Sequence, residues 1–127
     1  MVGVVVVSHS EKLAEGVIHF TKMSAPNALT AYAGGLEDGS YGTSYDRILE
    51  AIQSVYSEDG VVILCDLGSS VMTTEMVLEM NDFHKVQLIG CPLVEGAFQA
   101  TISSENGLTF EEIVDQLNEI TNHFEKM

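Results

Sequence analysis

The sequence predicts an α/β fold: an open, mainly parallel four-stranded sheet with helices on both faces, plus an extra C-terminal helix. Three observations carry that expectation. The runs Val2–Val7 and Val61–Cys65 are rich in β-branched residues with no alternation, as in strands buried on both faces. Helical patterns separate the strand-like runs, the order that βαβ units require. With 127 residues, 46% of them apolar, the chain can build one core and has little room for a second, so residues 1–127 read as a single domain.

Each element follows from its own pattern. After the strand Val2–Val7, residues Leu13, Ala14, Val17 and Ile18 share one face of a helix opening near Ser10. Leu29–Ala33 is a shorter, weaker strand. The long loop 34–42 then holds four of the eleven glycines and two acids, a composition that suits a spacer or the border of a site. A second helix, entered through Gly42-Thr43, lines up Ile48, Leu49, Ile52, Val55 and Tyr56. Val61–Cys65 is the third strand. The third helix opens at Ser69 or Ser70 and carries Met72, Met76 and Met80 at i, i+4 and i+8, a stripe read as core filling. Val86–Ile89 is the fourth strand. Beyond Pro92, the small residues Gly96, Ala97, Ala100 and Thr101 suit close helix packing, and Glu105-Asn106-Gly107 interrupts them. Thr109 and Glu112 form a capping box ahead of the apolar face of Phe110, Ile113, Val114, Leu117, Ile120 and Phe124.

Charge narrows the function classes. Five Lys and Arg against nineteen Asp and Glu leave a formal net charge of −14, which repels phosphate backbones and anionic lipid. Nucleic acid and membrane surfaces are therefore excluded as partners, and a basic protein would be steered toward the chain. Its unbroken apolar runs fall far short of the ~20 residues of a membrane span. Met1 runs into Val2-Gly3-Val4 without a basic n-region, so a cytoplasmic location is expected. Cys65 and Cys91 form no C-x-x-C and read as buried small hydrophobes. His19, His84 and His123 have no tight ligand spacing, so no metal is expected. P-loop and G-x-S-x-G motifs are absent from the sequence.

Two strand ends carry the chemistry. The first strand ends in Ser8-His9-Ser10 and the third in Asp66-Leu67-Gly68-Ser69-Ser70. In open α/β sheets the ligand crevice lies outside the carboxyl ends of the strands, where strand order reverses. If these two strands are neighbours with helices on opposite faces, His9 meets Asp66 there. A carboxylate beside an imidazole fixes its tautomer and frees the other nitrogen as nucleophile or base. Gly68, Ser69 and Ser70 open a helix whose unpaired N–H groups suit an anion. The same residues also fit an ordinary turn and N-cap, with His9 merely hydrogen-bonded and Asp66 a surface carboxylate.

These motifs resemble a known family. Met1–Ser10, followed by Leu13-Ala14-Glu15-Gly16-Val17, is similar to the start of the phosphotransferase subunits of bacterial dihydroxyacetone kinases, within the mannose-type enzyme IIA superfamily. Asp66–Ser70 resembles a second signature. Pro92-Leu93-Val94-Glu95-Gly96 resembles a third, which separates the dihydroxyacetone branch from IIA domains of sugar transporters. Gly42-Thr43 with Ile48, Glu50, Ala51 and Ile52 fits the same pattern, and the resemblance spans the chain. It implies a phosphocarrier that takes a phosphoryl group from the protein HPr onto His9 Nε2. The group would pass to ADP held in a partner kinase subunit, which phosphorylates dihydroxyacetone. Asp66 would orient the imidazole. Ser10, Gly68, Ser69, Ser70, Gly42 and Thr43 would surround the phosphate. The resemblance also implies a homodimer, for which the small-residue helix and the final amphipathic helix offer apolar surface, and no cofactor of the chain's own. The alternatives are a mannose-type IIA component of a sugar transporter, and a non-catalytic flavodoxin-like dimeric binding module.

Overall fold

The computed structural model describes residues 1–127. Four strands, β1 (Gly3–Ser8), β2 (Thr30–Gly34), β3 (Val61–Cys65) and β4 (Val86–Leu88), form one sheet in the order β2-β1-β3-β4. Every pairing is parallel, with Val5 opposite both Ala31 and Ile63. Five helices surround it: α1 (Glu11–Thr21), α2 (Tyr45–Val55), α3 (Gly68–Met80), α4 (Leu93–Glu105) and α5 (Phe110–Glu125). The architecture matches the α/β expectation. Local differences are small: β1, β2 and β4 each shift or shorten by a residue, and α3 opens at Gly68.

Alternate residues of the central strands feed two cores. Val4, Val6, Val62 and Leu64 pack on α1, α4 and α5 through Ala14, Val17, Ala97, Ala100, Ile113 and Leu117. Val5, Val7, Val61 and Ile63 pack on α2 and α3 through Ile48, Ile52, Val55 and Val77. Both faces of β1 and β3 are therefore dry, which is why their sequences show no polar alternation. The two cysteines end up buried in opposite layers as free thiols, and burial pushes both thiol pKa values up, away from reactive thiolate. No helix is long and apolar enough to cross a membrane.

Two readings are corrected. Met72, Met76 and Met80 are 72%, 56% and 72% exposed, so the stripe fills no core. The inward face of α3 is instead Ser70, Thr74 and Val77. An apolar period of four marks one face of a helix without saying which face is covered, and here small polar residues turn inward. The final helix lies on its own sheet, with Ile113 and Leu117 fully buried against α1, α4 and the central strands. The apolar face that α5 was expected to offer a second copy is thus largely used within the chain.

Gly34 sets the spacing at the site. An added Cβ would lie 2.5 Å from the Ser10 carbonyl oxygen and 2.7 Å from Glu11 Cα, backbone atoms that cannot swing away. Glycine here lets the end of β2 lie directly under the segment that carries His9 into α1.

Candidate active site

Chain order and sheet order together place the site. α1 and α3 leave β1 and β3 toward opposite faces, so the crevice opens between the carboxyl ends of these neighbouring strands. His9 and Asp66 follow those two ends. Asp66 N–H donates to the Val7 carbonyl at 3.2 Å and Gly42 N–H to the His9 carbonyl at 3.0 Å, so the backbone is held from both flanks.

Five donors converge on the Asp66 carboxylate. Its Oδ1 lies 3.0 Å from His9 Nδ1 and accepts from Leu67 N–H at 2.7 Å and from the Ser70 hydroxyl at 2.9 Å. Its Oδ2 accepts from the Ser8 hydroxyl at 2.8 Å and His9 N–H at 3.0 Å. Burial opposes the charge, but the His9 N–H, the Ser8 hydroxyl, the Leu67 N–H and the His9 ring outweigh it and hold the carboxyl at about 2. Such a group is ionised near neutrality and only accepts, so His9 Nδ1 carries the proton and Nε2 keeps its lone pair. The Ser69 hydroxyl contacts Nε2 and, facing a lone pair, donates to it.

The opening of α3 differs from other helix starts. Ser10, Ser44 and Thr109 cap α1, α2 and α5 with side-chain oxygens, and Thr109 and Glu112 complete the capping box. Leu67, the N-cap of α3, offers no such group, and the N–H groups of Gly68 and Ser69 bond to nothing in the chain. The contact of the Ser69 hydroxyl with Nε2 brings the imidazole to this helix start, where the dipole is positive. A Cβ at Gly68 would meet nothing within 4 Å, so that side of the turn is open. An imidazole whose unprotonated nitrogen is covered only by a hydroxyl, at a helix start with unpaired donors, can take up a group and stabilise its negative oxygens.

The remaining candidates are placed less directly. Ser10 caps α1 by accepting from Leu13 N–H, and Ser70 is buried with its hydroxyl on Asp66 and the Leu67 carbonyl, beneath the anion position. Gly42 touches the His9 backbone, and Thr43 pairs with Thr73 Oγ1 at 2.9 Å. Ser8 is a residue that sequence reasoning left out. It precedes the histidine and is fully buried, and nothing in its local pattern shows that its side chain would turn toward Asp66, 58 positions on. His19, His84 and His123 are exposed on α1, the α3–β4 connection and α5, and no three His, Cys, Asp or Glu side chains cluster to hold a metal. The largest cleft, about 660 Å³ beside α1 and β2, is lined by Lys12, His19 and Tyr32 and does not include His9. The His9 side chain is instead 25% exposed at the mouth of the crevice.

The model of a family described as PTS system fructose IIA component matches residues 3–117. The phosphotransferase subunit DhaM of a PTS-dependent dihydroxyacetone kinase from Lactococcus lactis is 39% identical over 118 residues, covering 93% of this chain and 94% of the relative. The phosphoryl donor subunit DhaM of a PEP-dependent dihydroxyacetone kinase from Escherichia coli is 35% identical over 121 residues, 90% of this chain but 26% of the relative. Among solved structures, a protein of unknown function superposes with a TM-score of 0.81 at 28% identity, covering 95% of this chain and 93% of the other. The phosphotransferase system component EIIA from Streptococcus agalactiae superposes with a TM-score of 0.72 at 14% identity, over 97% of this chain and 94% of the other, a likeness of fold alone.

Proposed function

This chain belongs to the mannose-type IIA family of the phosphotransferase system, and from that premise we propose that it is the phosphocarrier subunit of a dihydroxyacetone kinase. His9 Nε2 takes the phosphoryl group from phospho-HPr and passes it to ADP bound in a partner kinase subunit, which phosphorylates dihydroxyacetone. One observation carries the reading: His9 Nδ1 is tied to an ionised Asp66 at 3.0 Å while Nε2 is in contact with the Ser69 hydroxyl in the first turn of α3, where the Gly68 and Ser69 N–H groups are unpaired. The Ser69 hydroxyl, already on Nε2, and the Gly68 and Ser69 N–H groups bind the oxygens of the arriving group. Catalysis is then positioning plus electrostatic stabilisation. The names of relatives from Lactococcus lactis and Escherichia coli support dihydroxyacetone kinase over a sugar transporter as the receiving system.

The site suits transfer between proteins. His9 sits at a crevice mouth flanked by exposed Tyr41 and Leu67, apolar groups that a docking protein can cover. The net charge of −14 favours a basic docking face. The chain is proposed to need no cofactor of its own, because the acceptor nucleotide arrives on its partner. When the His9-phosphorylated chain is mixed with free ADP, ATP formation is expected to be negligible, since nothing orders the acceptor for in-line attack. The ADP-loaded kinase subunit is expected to discharge His9 rapidly, and added salt to slow that step. Rapid discharge by free ADP overturns the relay, and discharge only to a transporter IIB domain replaces dihydroxyacetone kinase with a sugar transporter.

The chain is also proposed to work as a homodimer. Met72, Met76 and Met80 leave an apolar strip on α3, which packs on the sheet next to edge strand β4, and a two-fold partner would cover it. Light scattering at micromolar concentration is expected to give twice the 13.8 kDa chain mass. A monomer mass there removes the dimer.

A further inference from the structure

Two buried hydroxyls lie beneath the His9–Asp66 pair, and the transfer roles above use neither. Ser8, fully buried at the end of β1, accepts from Ser10 N–H at 3.0 Å, so its own proton goes to Asp66 Oδ2 at 2.8 Å. Ser70, equally buried in the first turn of α3, shares its proton between Asp66 Oδ1 at 2.9 Å and the Leu67 carbonyl at 2.6 Å. Neither is hydrogen-bonded to the His9 ring. We propose that Ser8, with Ser70 in support, is a positioning residue that loosens the hold of Asp66 on the phosphorylated imidazole and so keeps His9 able to hand its phosphoryl group on. The inference rests on the phosphocarrier reading and names what sets its direction.

The argument is one of charge balance. On loading, the Nε2 lone pair forms the new N–P bond while the donor's bond to phosphorus breaks and its electron pair stays with the donor. No proton leaves: Nδ1 keeps its hydrogen and the ring becomes an imidazolium. On discharge the N–P bond breaks, its pair returns to Nε2, and an acceptor oxygen forms the bond to phosphorus. The positive ring exists only while the group is held, so whatever stabilises it favours loading and opposes discharge. Asp66 Oδ1, 3.0 Å from Nδ1, is that stabiliser. A carboxylate with the ring as sole partner would make phosphohistidine a sink. Four further donors share its charge here, and two of them, the His9 and Leu67 N–H groups, are backbone that any sequence supplies. The hydroxyls of Ser8 and Ser70 are the side-chain contribution. They keep the half-buried carboxylate ionised while weakening its pull on the ring.

A purely structural Ser8 would merely satisfy a buried turn, and its loss would slow both directions alike. The proposed role makes the two directions diverge. In Ser8→Ala the equilibrium between phospho-HPr and the phosphorylated chain is expected to move toward the chain by about three- to tenfold, the scale of one charge-assisted hydrogen bond shared between partners. Discharge to the ADP-loaded kinase subunit slows by a similar factor and loading does not slow. The Nδ1–H proton resonance of unphosphorylated His9 moves downfield as its bond to Asp66 strengthens. Ser70→Ala shifts each readout the same way by less, and carries the test by itself if Ser8→Ala does not fold. An unchanged equilibrium with both rates reduced, or an unmoved Nδ1–H resonance, overturns the proposal. If the parent chain takes up no phosphoryl group, the phosphocarrier reading fails. The resonance then still decides whether the hydroxyls weaken the Asp66–His9 bond.

Discussion

His9→Ala is expected to lose phosphoryl uptake from phosphoenolpyruvate, enzyme I and HPr down to background, while His19→Ala, His84→Ala and His123→Ala keep it. Among the four histidines only His9 joins a fixed tautomer to unpaired anion-binding donors. His19 and His84 form no side-chain ion pair, and His123 packs its ring edge against Phe124 at 5.7 Å. The adduct should appear by intact mass and be acid-labile and base-stable, the behaviour of a phosphoramidate. The His9 ring is partly exposed and adds little to either core, so His9→Ala should melt like the parent and the loss will read as chemistry. Labelling that survives in His9→Ala moves the acceptor elsewhere.

Asp66→Asn is expected to cut single-turnover loading by roughly 10²-fold, the effect of removing one preorganised electrostatic partner. The amide keeps the shape but loses the charge that offsets the imidazolium. Its NH2 group must also face donors: turned toward the Oδ2 position it meets His9 N–H, and toward Oδ1 it meets the His9 ring and Leu67 N–H. Reading Asp66 as a surface carboxylate would leave stability unaffected. With five donors on it, this substitution should instead cost about 1–3 kcal/mol in urea unfolding. Acid adds a signature. The folded-state pKa, at about 2, lies below the unfolded carboxylate value of about 3.9. The stability this group supplies is complete above the unfolded value and is lost as pH falls through the folded one. The parent should therefore lose stability across that window more steeply than Asp66→Asn. Unchanged single-turnover rates would remove the orienting role.

The fold was legible because its strands announce their burial. Val4–Val7 and Val61–Leu64 are apolar at every position, which only a sheet covered on both faces permits. The capping box at Thr109 and Glu112 and the Ser10 cap are also local, since each joins residues three apart. The methionines of α3 misled for a related reason. Periodicity reports that a helix has an apolar stripe, whereas exposure depends on what is packed alongside. Beside α3 that is α2 on one flank and edge strand β4 on the other.

The site divides along the same line. That a histidine ends one strand and an Asp-Leu-Gly-Ser-Ser turn ends another belongs to the sequence alone, as does the acidic net charge. Whether those two ends meet depends on the sheet order β2-β1-β3-β4, a result of packing helices on both faces that no local pattern encodes. The roles of the three serines are decided later still. Ser69 reaches Nε2 while Ser70, its neighbour, turns inward to Asp66, because successive residues of a helix point about 100° apart and the core fixes which way α3 is rotated. Ser8 reaches the same carboxylate from a different strand, 58 residues away. Chain order sets which chemical groups are available, and the long-range hydrogen bonds of the folded state assign each hydroxyl to the imidazole or to the carboxylate behind it.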